Sequence, residues 1–235
     1  MKYAVVDVRM PPNMKENLKS FAERVLELPP HPKLAAPVAS HPDMLLWKHG
    51  NTVITYQDYA LMFPNIFEVL EKEGYKIITS APSPAPDYPR DVGLNCAVLG
   101  NTVIGNTKYI RQEIINEVTY KRLSLVHTNQ GYAKCSTATV SENSVITADP
   151  SIYRAACGAG IECLKISGDH VELDGYDKGF IGGACGLCGD TLIFCGDISF
   201  HPDATLIQNF CSSYDVSVFS LSSSSLYDYG TVMFL

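Results

Sequence analysis

The stretch that decides the fold is Gly100-Asn-Thr-Val-Ile104, a tight turn between two short β-rich segments. Three similar stretches occur elsewhere in the chain, at Gly50–Ile54, Glu142–Ile146 and Gly189–Ile193. The Asn or Asp of each copy lies at position 51, 101, 143 or 190, which gives spacings of 50, 42 and 47 residues. Self-similarity at such a period indicates one supersecondary unit that is repeated along the chain.

Each copy of the turn begins the same order of elements: a hairpin, a helix and a further strand. After the hairpin, apolar residues recur at helical spacing, and a β-rich run then closes the unit. The helices are predicted over about 64–72, 108–118, 150–158 and 202–214, and the closing strands over 75–79, 123–126, 161–166 and 216–221. The sequence therefore predicts four β-β-α-β modules in a row.

Two β-rich runs have no partner in these modules: Tyr3–Val8 and the run that ends at Leu235. Pairing them forms a fifth hairpin, which a helix over about Met14–Leu28 and an edge strand over Leu34–Ala39 complete. Closure removes the unpaired strand edges that promote aggregation. We therefore predict a single α/β domain over residues 1–235, a five-fold pseudo-symmetric ring of β-β-α-β modules (an α/β propeller). The first to fifth modules span about 41–80, 88–128, 132–167, 179–222 and 227–40.

Composition excludes several classes of function. The net charge of the 235 residues is −7 and no basic run occurs, so a nucleic-acid partner is not expected. No apolar run is long enough to cross a bilayer, so no membrane partner is expected either. The run Met1–Asp7 has an acidic residue and no small-residue cleavage site, which predicts a cytoplasmic protein. No Gly-rich phosphate loop, nucleophile elbow or metal-binding His pair occurs, so we expect no cofactor.

A ring of five such modules resembles the pentein fold of the guanidino-group modifying enzymes. That superfamily includes arginine and agmatine deiminases, dimethylarginine hydrolases and amidinotransferases, and the fold also occurs in a non-enzymatic ribosome anti-association factor. The stretch Tyr88-Pro-Arg-Asp91, which opens the second module, resembles the aromatic-x-Arg-Asp element of the deiminases. In the deiminases this aspartate helps to hold the substrate guanidinium, so the resemblance implies the same role for Asp91.

The usual catalytic positions of that superfamily differ in this chain. Gly131–Cys135 replaces a Glu-Gly-Gly-Asp-type run in the third module, and Gly179–Cys185 of the fourth module lacks the general-acid His. Leu226–Gly230 of the fifth module has no Cys where the nucleophile is expected. The chemistry needs a thiolate, an acid/base partner and carboxylates. The resemblance therefore implies a divergent member that lacks the usual catalytic Cys and His.

Candidate site residues follow from counting back from each turn Asn or Asp along the opening strand. Because strand side chains alternate, the residues ten, eight and six positions before it are expected to face the axis together. Cys135 is the candidate nucleophile and His41 its candidate proton partner. The ligand-binding candidates at these positions or beside them are Asp43, Arg90, Asp91, Asn95 and Lys134, and Tyr229 of the fifth module is a further one. Asp43 and Asp91 are expected to hold a cation by bidentate hydrogen bonds.

Three functions stay open at this point. The first is an axial pocket for a small polar, guanidinium-bearing molecule, with a hydrolase- or amidinotransferase-like activity in a rearranged site. The second is a non-catalytic protein-interaction pentein that resembles the ribosome anti-association branch, which the vacant Cys and His positions favour. The third is a metal site on Cys185 and Cys188, although a zinc site needs four ligands and no second such pair occurs.

Overall fold

The architecture is a set of five small sheets, as a computed structural model of residues 2–168 and 170–235 shows. Within these residues each sheet has three strands. The middle strand pairs antiparallel with the first strand of the module and parallel with the last. A helix lies between the two parallel strands in the sequence, which is the crossover that such a pair requires. The predicted α/β fold of five β-β-α-β modules is confirmed.

The elements are numbered in chain order. The strands are β1 (Tyr3–Asp7), β2 (Arg24–Leu28), β3 (Leu46–His49), β4 (Thr52–Tyr56), β5 (Lys76–Ser80), β6 (Ala97–Leu99), β7 (Thr102–Gly105), β8 (Ser124–His127), β9 (Ala138–Ser141), β10 (Ser144–Thr147), β11 (Glu162–Lys165), β12 (Cys185–Cys188), β13 (Thr191–Phe194), β14 (Ser217–Ser220) and β15 (Met233–Phe234). The helices are α1 (Pro12–Leu18), α2 (Pro42–Leu45), α3 (Gln57–Met62), α4 (Pro64–Lys72), α5 (Gln112–Lys121), α6 (Pro150–Gly158) and α7 (Ala204–Ser212).

The two ends of the chain form the hairpin of the fifth module. Strands β1 and β15 pair antiparallel, with Ala4 opposite Phe234. The backbone N–H groups of Lys2 and Tyr3 both donate to the carbonyl of Leu235, at 2.9 and 3.0 Å. The middle strand of this sheet is therefore paired on both edges, as the predicted closure requires.

The repeated turns have the conformation that their sequence favours. Gly50, Gly100 and Gly189 adopt φ values of +55°, +48° and +58°, and each opens a two-residue hairpin loop. A glycine with positive φ at the first loop position is the requirement of a type II′ turn, whose twist matches that of the flanking strands. The remaining copy of the turn, in the third module, has Glu142 at this position, and its hairpin shows a register shift between Ser144 and Val145. The local motif thus specifies the hairpins.

A helix is present in the fifth module, but the predicted range Met14–Leu28 is too long. Helix α1 ends at Leu18, and β2 is a strand whose residues pair in parallel with β1, from Tyr3 opposite Arg24 onward. The predicted strand over Leu34–Ala39 is also wrong, because a 3₁₀ turn covers Ala36–Val38. The apolar residues before β2 fit helical spacing, but the unpaired edge of β1 is satisfied only if the next segment extends beside it.

The segments just before the opening strands are turns, not strands. Residues Pro42–Leu45 form α2, whose first residue has no N–H to offer to a sheet. Equivalent turns are closed by backbone hydrogen bonds from Asn95 to Val92 (3.0 Å), from Thr137 to Lys134 (3.0 Å) and from Gly183 to Phe180 (3.1 Å). The alternation rule used to select axial residues therefore does not apply to these segments.

The largest core cluster joins the first two modules, with Leu45, Trp47 and Ile54 from the first and Val103 and Ile114 from the second. Contacts between β12 and β15, between β12 and β9 and between β6 and β9 connect neighbouring sheets. Across residues 2–168 and 170–235, none of the helices has the length and apolar character needed to cross a membrane.

Candidate functional site

Asn95 holds the turns of three modules together. Its side-chain amide donates to the Sγ of Cys135 at 3.0 Å and to the backbone carbonyl of Asp43 at 3.1 Å. Its side-chain oxygen accepts from the backbone N–H groups of Lys134 and Cys135, at 2.7 and 3.2 Å. Asn95 is completely buried, so these bonds satisfy an amide that has no access to water. The structure therefore brings Asp43, Asn95, Lys134 and Cys135 together.

A small cavity lies beside this cluster, and we call it the acid pocket. Its volume is about 120 Å³. The residues that line it are Val38, His41, Met44, Tyr132, Cys135, Leu173, Tyr176, Lys178, Phe180 and Asp228. The two predicted catalytic residues, His41 and Cys135, thus face one cavity, together with a carboxylate that the sequence analysis did not select.

Asp228 is the carboxylate of the acid pocket. Its Oδ1 accepts from the backbone N–H of Gly230 and its Oδ2 from that of Phe180, each at 2.8 Å. Burial raises the pKa of Asp228 to about 7, and the negative charge of Asp43 adds to this shift. Gly183 leaves room for the carboxylate, because a Cβ at this glycine would lie 2.0 Å from Oδ1 of Asp228. Near neutral pH this group can hold or release a proton.

His41 lies between two buried carboxylates. Its Nδ1 is 3.8 Å from Oδ1 of Asp228 and its Nε2 is 3.8 Å from Oδ2 of Asp7. Neither ring nitrogen has a hydrogen-bond partner among the described residues. Burial lowers the pKa of His41 to about 3, and the positive charge of Arg9 acts in the same direction. Arg9 pairs with Asp7 through its Nε, at 3.0 Å. The imidazole is therefore neutral at pH 7 and a weak base.

Cys135 has a protonated thiol when the pocket is empty. Burial raises its pKa well above the ordinary value, and the charges of Asp43 and Asp228 raise it further. The hydrogen bond from Asn95 favours the thiolate, although it is the weaker influence. A nucleophilic thiolate therefore needs more positive charge beside Sγ than the empty pocket supplies.

Asp43 and Asp91 lie outside the lining of the acid pocket. Within residues 2–168 and 170–235, neither carboxylate oxygen of Asp43 has a hydrogen-bond partner. Burial raises the pKa of Asp43 to about 6, whereas the charge of Lys134 and the thiol of Cys135 act in the other direction. The Oδ2 of Asp91 accepts a hydrogen bond from the hydroxyl of Tyr132 at 2.6 Å. Asp91 therefore orients a wall of the pocket, and Asp43 influences its charge from behind the lining.

The sequence matches one family model over residues 5–233, with the description "Family of unknown function (DUF6873)". The chain belongs to this family. A search of curated protein sequences gave no significant match. The family assignment therefore brings no established reaction with it.

Solved structures share the fold of this DUF6873 member at low sequence identity. An amidinotransferase from Microseira wollei in the saxitoxin biosynthetic pathway has a TM-score of 0.60 at 10% identity, covering 97% of this chain and 93% of that chain. The agmatine deiminase of C. jejuni has a TM-score of 0.57 at 9% identity, with coverages of 94% and 87%. The DDAH of Pseudomonas aeruginosa, complexed with citrulline, has a TM-score of 0.55 at 10% identity, with coverages of 94% and 92%. The chain has the pentein fold, and identities this low establish the fold alone.

Two residues that are predicted to bind a ligand, Arg90 and Tyr229, lie outside the lining of the acid pocket. Arg90 is exposed in a loop, and its Nη2 donates to Asp87 at 2.8 Å. Tyr229 packs in another core cluster, with its ring centroid 4.6 Å from that of Tyr227. Arg90 has a closer acidic partner in its own loop, and the turn at Gly230 directs Tyr229 away from the pocket. Lys134 faces a second cavity, where its Nζ donates to Oγ1 of Thr231 at 2.7 Å.

The sequence pattern does not indicate Asp228, because the fifth module has no turn residue that sets the register of its opening strand. The other four modules have such a residue, but here the hairpin joins the two ends of the chain. The stretch Leu226–Gly230, which contains Asp228, matches only the position of the catalytic Cys in the guanidino-group modifying enzymes. The aromatic residues Tyr132 and Phe180 gave no signal that distinguishes a pocket wall from core.

Cys185 and Cys188 are poorly placed for a shared metal ion. They lie three positions apart on β12, so their side chains project to opposite faces. Cys185 belongs to one core cluster, whereas Cys188 packs against another. In the described part of the chain, no group of three or more His, Cys, Asp or Glu side chains could hold a metal. This arrangement disfavours the third function, a metal site on Cys185 and Cys188.

Proposed function

We propose that this protein binds a small guanidinium- or amidinium-bearing molecule in the acid pocket and modifies it with the thiol of Cys135. The observation that carries the proposal is the buried carboxylate of Asp228 beside this thiol. Asp228 is buried, the hydrogen bonds to its carboxylate from Phe180 and Gly230 come from uncharged backbone N–H groups, and the nearby His41 is neutral. A buried carboxylate is costly to ionise, so a cationic ligand that reaches it would be bound favourably.

The walls of the pocket favour a flat cation over a spherical one. The rings of Tyr132 and Phe180 stack at an angle of 27°, with centroids 6.0 Å apart, and Tyr176 also lines the cavity. Guanidinium groups stack on aromatic faces and match the two oxygens of a carboxylate. An ammonium ion would use only part of this surface. A planar amidine or guanidine is therefore the ligand class that we infer.

A bound cation would also generate the nucleophile. Positive charge between Asp228 and Cys135 lowers the pKa of both groups and offsets the two carboxylates that raise the thiol pKa, so Sγ can lose its proton by way of Asp228. A carboxylate with a pKa of about 7 suits this role better than an imidazole with a pKa of about 3. The thiolate then forms a bond to the guanidinium carbon, the bond from that carbon to one nitrogen breaks, and the amine leaves with the proton that Asp228 received. Water or a second amine releases the product from the sulfur.

The chain's own cysteines fit a reducing compartment. All eight are free thiols, and Cys135 would lose its chemistry on oxidation. The proposal therefore includes the cytoplasm, the location expected from the N-terminal run, as the place where the protein works.

Asp228→Asn is expected to weaken binding of the cation at least ten-fold, because the variant cannot carry the charge that the ligand pairs with. Calorimetric titration of the full chain at pH 8 with arginine, agmatine and dimethylarginine measures this effect. The matched control is Asp215→Asn, an exposed position with φ of +57° that Asn tolerates well. Equal affinity of the Asp228→Asn variant and the wild type would remove Asp228 from the site.

Cys135→Ala is expected to abolish release of ammonia or amine from the bound ligand and to leave its affinity within about three-fold of the wild type, since the thiol contributes chemistry and not charge. Product release that persists unchanged in Cys135→Ala would eliminate this nucleophile. Binding without turnover by the wild type would instead favour the second function, a non-catalytic pentein, which the protonated state of the Cys135 thiol in the empty pocket also supports.

A further inference from the structure

A second cavity lies on the axis of the ring, and we call it the axial channel. Its volume is about 350 Å³. The first strands of all five sheets contribute to its wall: Trp47 from β3, Val98 from β6, Thr139 from β9, Gly186 from β12 and Phe234 from β15. The acid pocket and the axial channel have different lining residues, since Cys135 faces the first and Lys134 the second.

The charge of the axial channel is opposite to that of the acid pocket. Lys48 and Lys134 line it, and no Asp or Glu does so in the part of the chain that the structure describes. The Nζ of Lys48 donates to the carbonyl of Phe234 at 3.1 Å, and burial lowers the pKa of this amine. Each ammonium group has three donors, and the bond from Lys48 to the carbonyl of Phe234 uses one of them. Two cations thus line the same cavity, and the carboxylates whose pKa the charge of Lys134 lowers, Asp43 and Asp228, lie outside its lining.

The same wall carries two polar groups whose partners are missing. Trp47 is only 1% exposed, and its Nε1 has no hydrogen-bond partner among residues 2–168 and 170–235. The Oγ1 of Thr139 is buried and, within the same residues, also without a partner. Buried indole N–H groups are usually paired, so a vacancy beside a cavity points to an acceptor that fills it. The groups in need of partners here are an indole donor, a hydroxyl and two ammonium ions.

We propose that the axial channel binds a small oxyanion-bearing molecule, with Lys48, Lys134 and the indole N–H of Trp47 as its donors. Charge-assisted hydrogen bonds from two lysines and an uncharged donor match a carboxylate or a phosphate. The volume is at the lower end of the range for ligand cavities, which suits a molecule the size of a dicarboxylate or a sugar phosphate. The axial channel differs from the proposed cation site in its lining residues and in the sign of its charge, and Lys134 links the two sites because its charge lowers the pKa of Asp228.

The chain contains a single tryptophan, so the fluorescence of Trp47 reports on the channel directly. The full-length protein is titrated with succinate and with glycerol 3-phosphate at constant ionic strength, with sodium chloride as the reference salt. We expect a saturable change in Trp47 emission with at least one of the two compounds, and none with chloride. Which compound binds more tightly distinguishes a carboxylate ligand from a phosphate ligand.

Lys48→Met is expected to weaken this binding at least ten-fold, and Lys48→Arg to keep most of it, because the arginine preserves the charge. Lys134→Met provides a second variant if Lys48→Met does not fold, as judged by circular dichroism. The control is Lys165→Met, an exposed position on β11 far from the channel lining. A linear response to both compounds that equals the response to chloride would overturn the proposal and leave a water-filled channel. Equal affinities of Lys48→Met, Lys134→Met and the wild type would also overturn it.

Discussion

Gly182→Ala is expected to lower the free energy of unfolding by about 3 kcal/mol, because overpacking at this position would displace main-chain atoms. A Cβ at residue 182 would lie 2.3 Å from the carbonyl oxygen of Thr137 and 2.5 Å from that of Lys134. Both carbonyls belong to the turn of the neighbouring module, so relief requires the two modules to move apart. Urea unfolding, followed by circular dichroism and by the fluorescence of Trp47, measures the change.

Gly158→Ala is the matched control for this substitution. Gly158 ends α6, and no heavy atom of the described residues lies within 4 Å of a Cβ built there. Alanine costs less conformational entropy than glycine in a helix, so this variant should be unchanged or more stable by up to about 1 kcal/mol. If Gly182→Ala unfolds at the same urea concentration as the wild type, the modules are not packed as closely as the structure describes.

Asp43→Asn is expected to stabilise the protein at pH 8, by on the order of 2 kcal/mol. The pKa of Asp43 is raised from 3.8 to about 6, mainly by burial. A group with a raised pKa in the folded state supports folding fully below the unfolded value, and that support is lost as the pH rises through the folded value. The ionised carboxylate is thus a cost to the folded state at pH 8. Asparagine has a similar shape and avoids this cost.

The pH dependence separates this effect from a general change in packing. The advantage of Asp43→Asn should shrink below about pH 6 and be largely gone near pH 4, where the folded carboxyl is protonated and the unfolded one is close to its own pKa of 3.8. Denaturant unfolding at pH 4, 6 and 8 measures the difference, with the exposed Asp215→Asn as a reference. An advantage of the same size at all three pH values would show that ionisation of Asp43 is not its cause.

The modular fold was predictable because its signal is local. A glycine followed by Asn or Asp at a two-residue turn fixes three of the hairpins, and the helix of the first module was predicted with the bounds that α4 has. The β-rich runs at the two ends of the chain have no partner in the other four modules, so they were predicted to pair with each other. Closure of the ring followed from counting strand edges, without any knowledge of side-chain packing.

The bounds of β2 and the conformation of the axial turns were not predictable in this way. The sequence before β2 satisfies a helical pattern, and only pairing with β1 in three dimensions decides for a strand. The axial turns depend on bonds between modules, such as those of Asn95 to Cys135 and to Asp43. Such bonds join residues about 40 to 50 positions apart, and no periodicity within one segment reveals them.

Asp228 illustrates how the candidate site was only partly predictable. His41, Asp43 and Cys135 were selected on a strand rule that does not hold for their segments, yet the turns bring them to the same end of the axis. Asp228 was not predicted because the hairpin of its module has no turn residue that sets the register of the strand. The electrostatic state of the site, with neutral His41 and a protonated thiol, depends on burial and therefore on the complete fold.

The split hairpin of the fifth module also affects how the ring can assemble. Ala4 and Phe234 pair directly, so this sheet joins the most distant parts of the chain, whereas the other four hairpins join neighbours. Closing so long a loop costs more entropy than closing a two-residue turn, and contacts of high sequence separation slow folding. A chain whose ends were joined and reopened at the turn of Gly189 would have the same five sheets. In that chain the strands far apart in sequence would be those of the fourth module. The position of the chain ends therefore determines which hairpin is expected to form last.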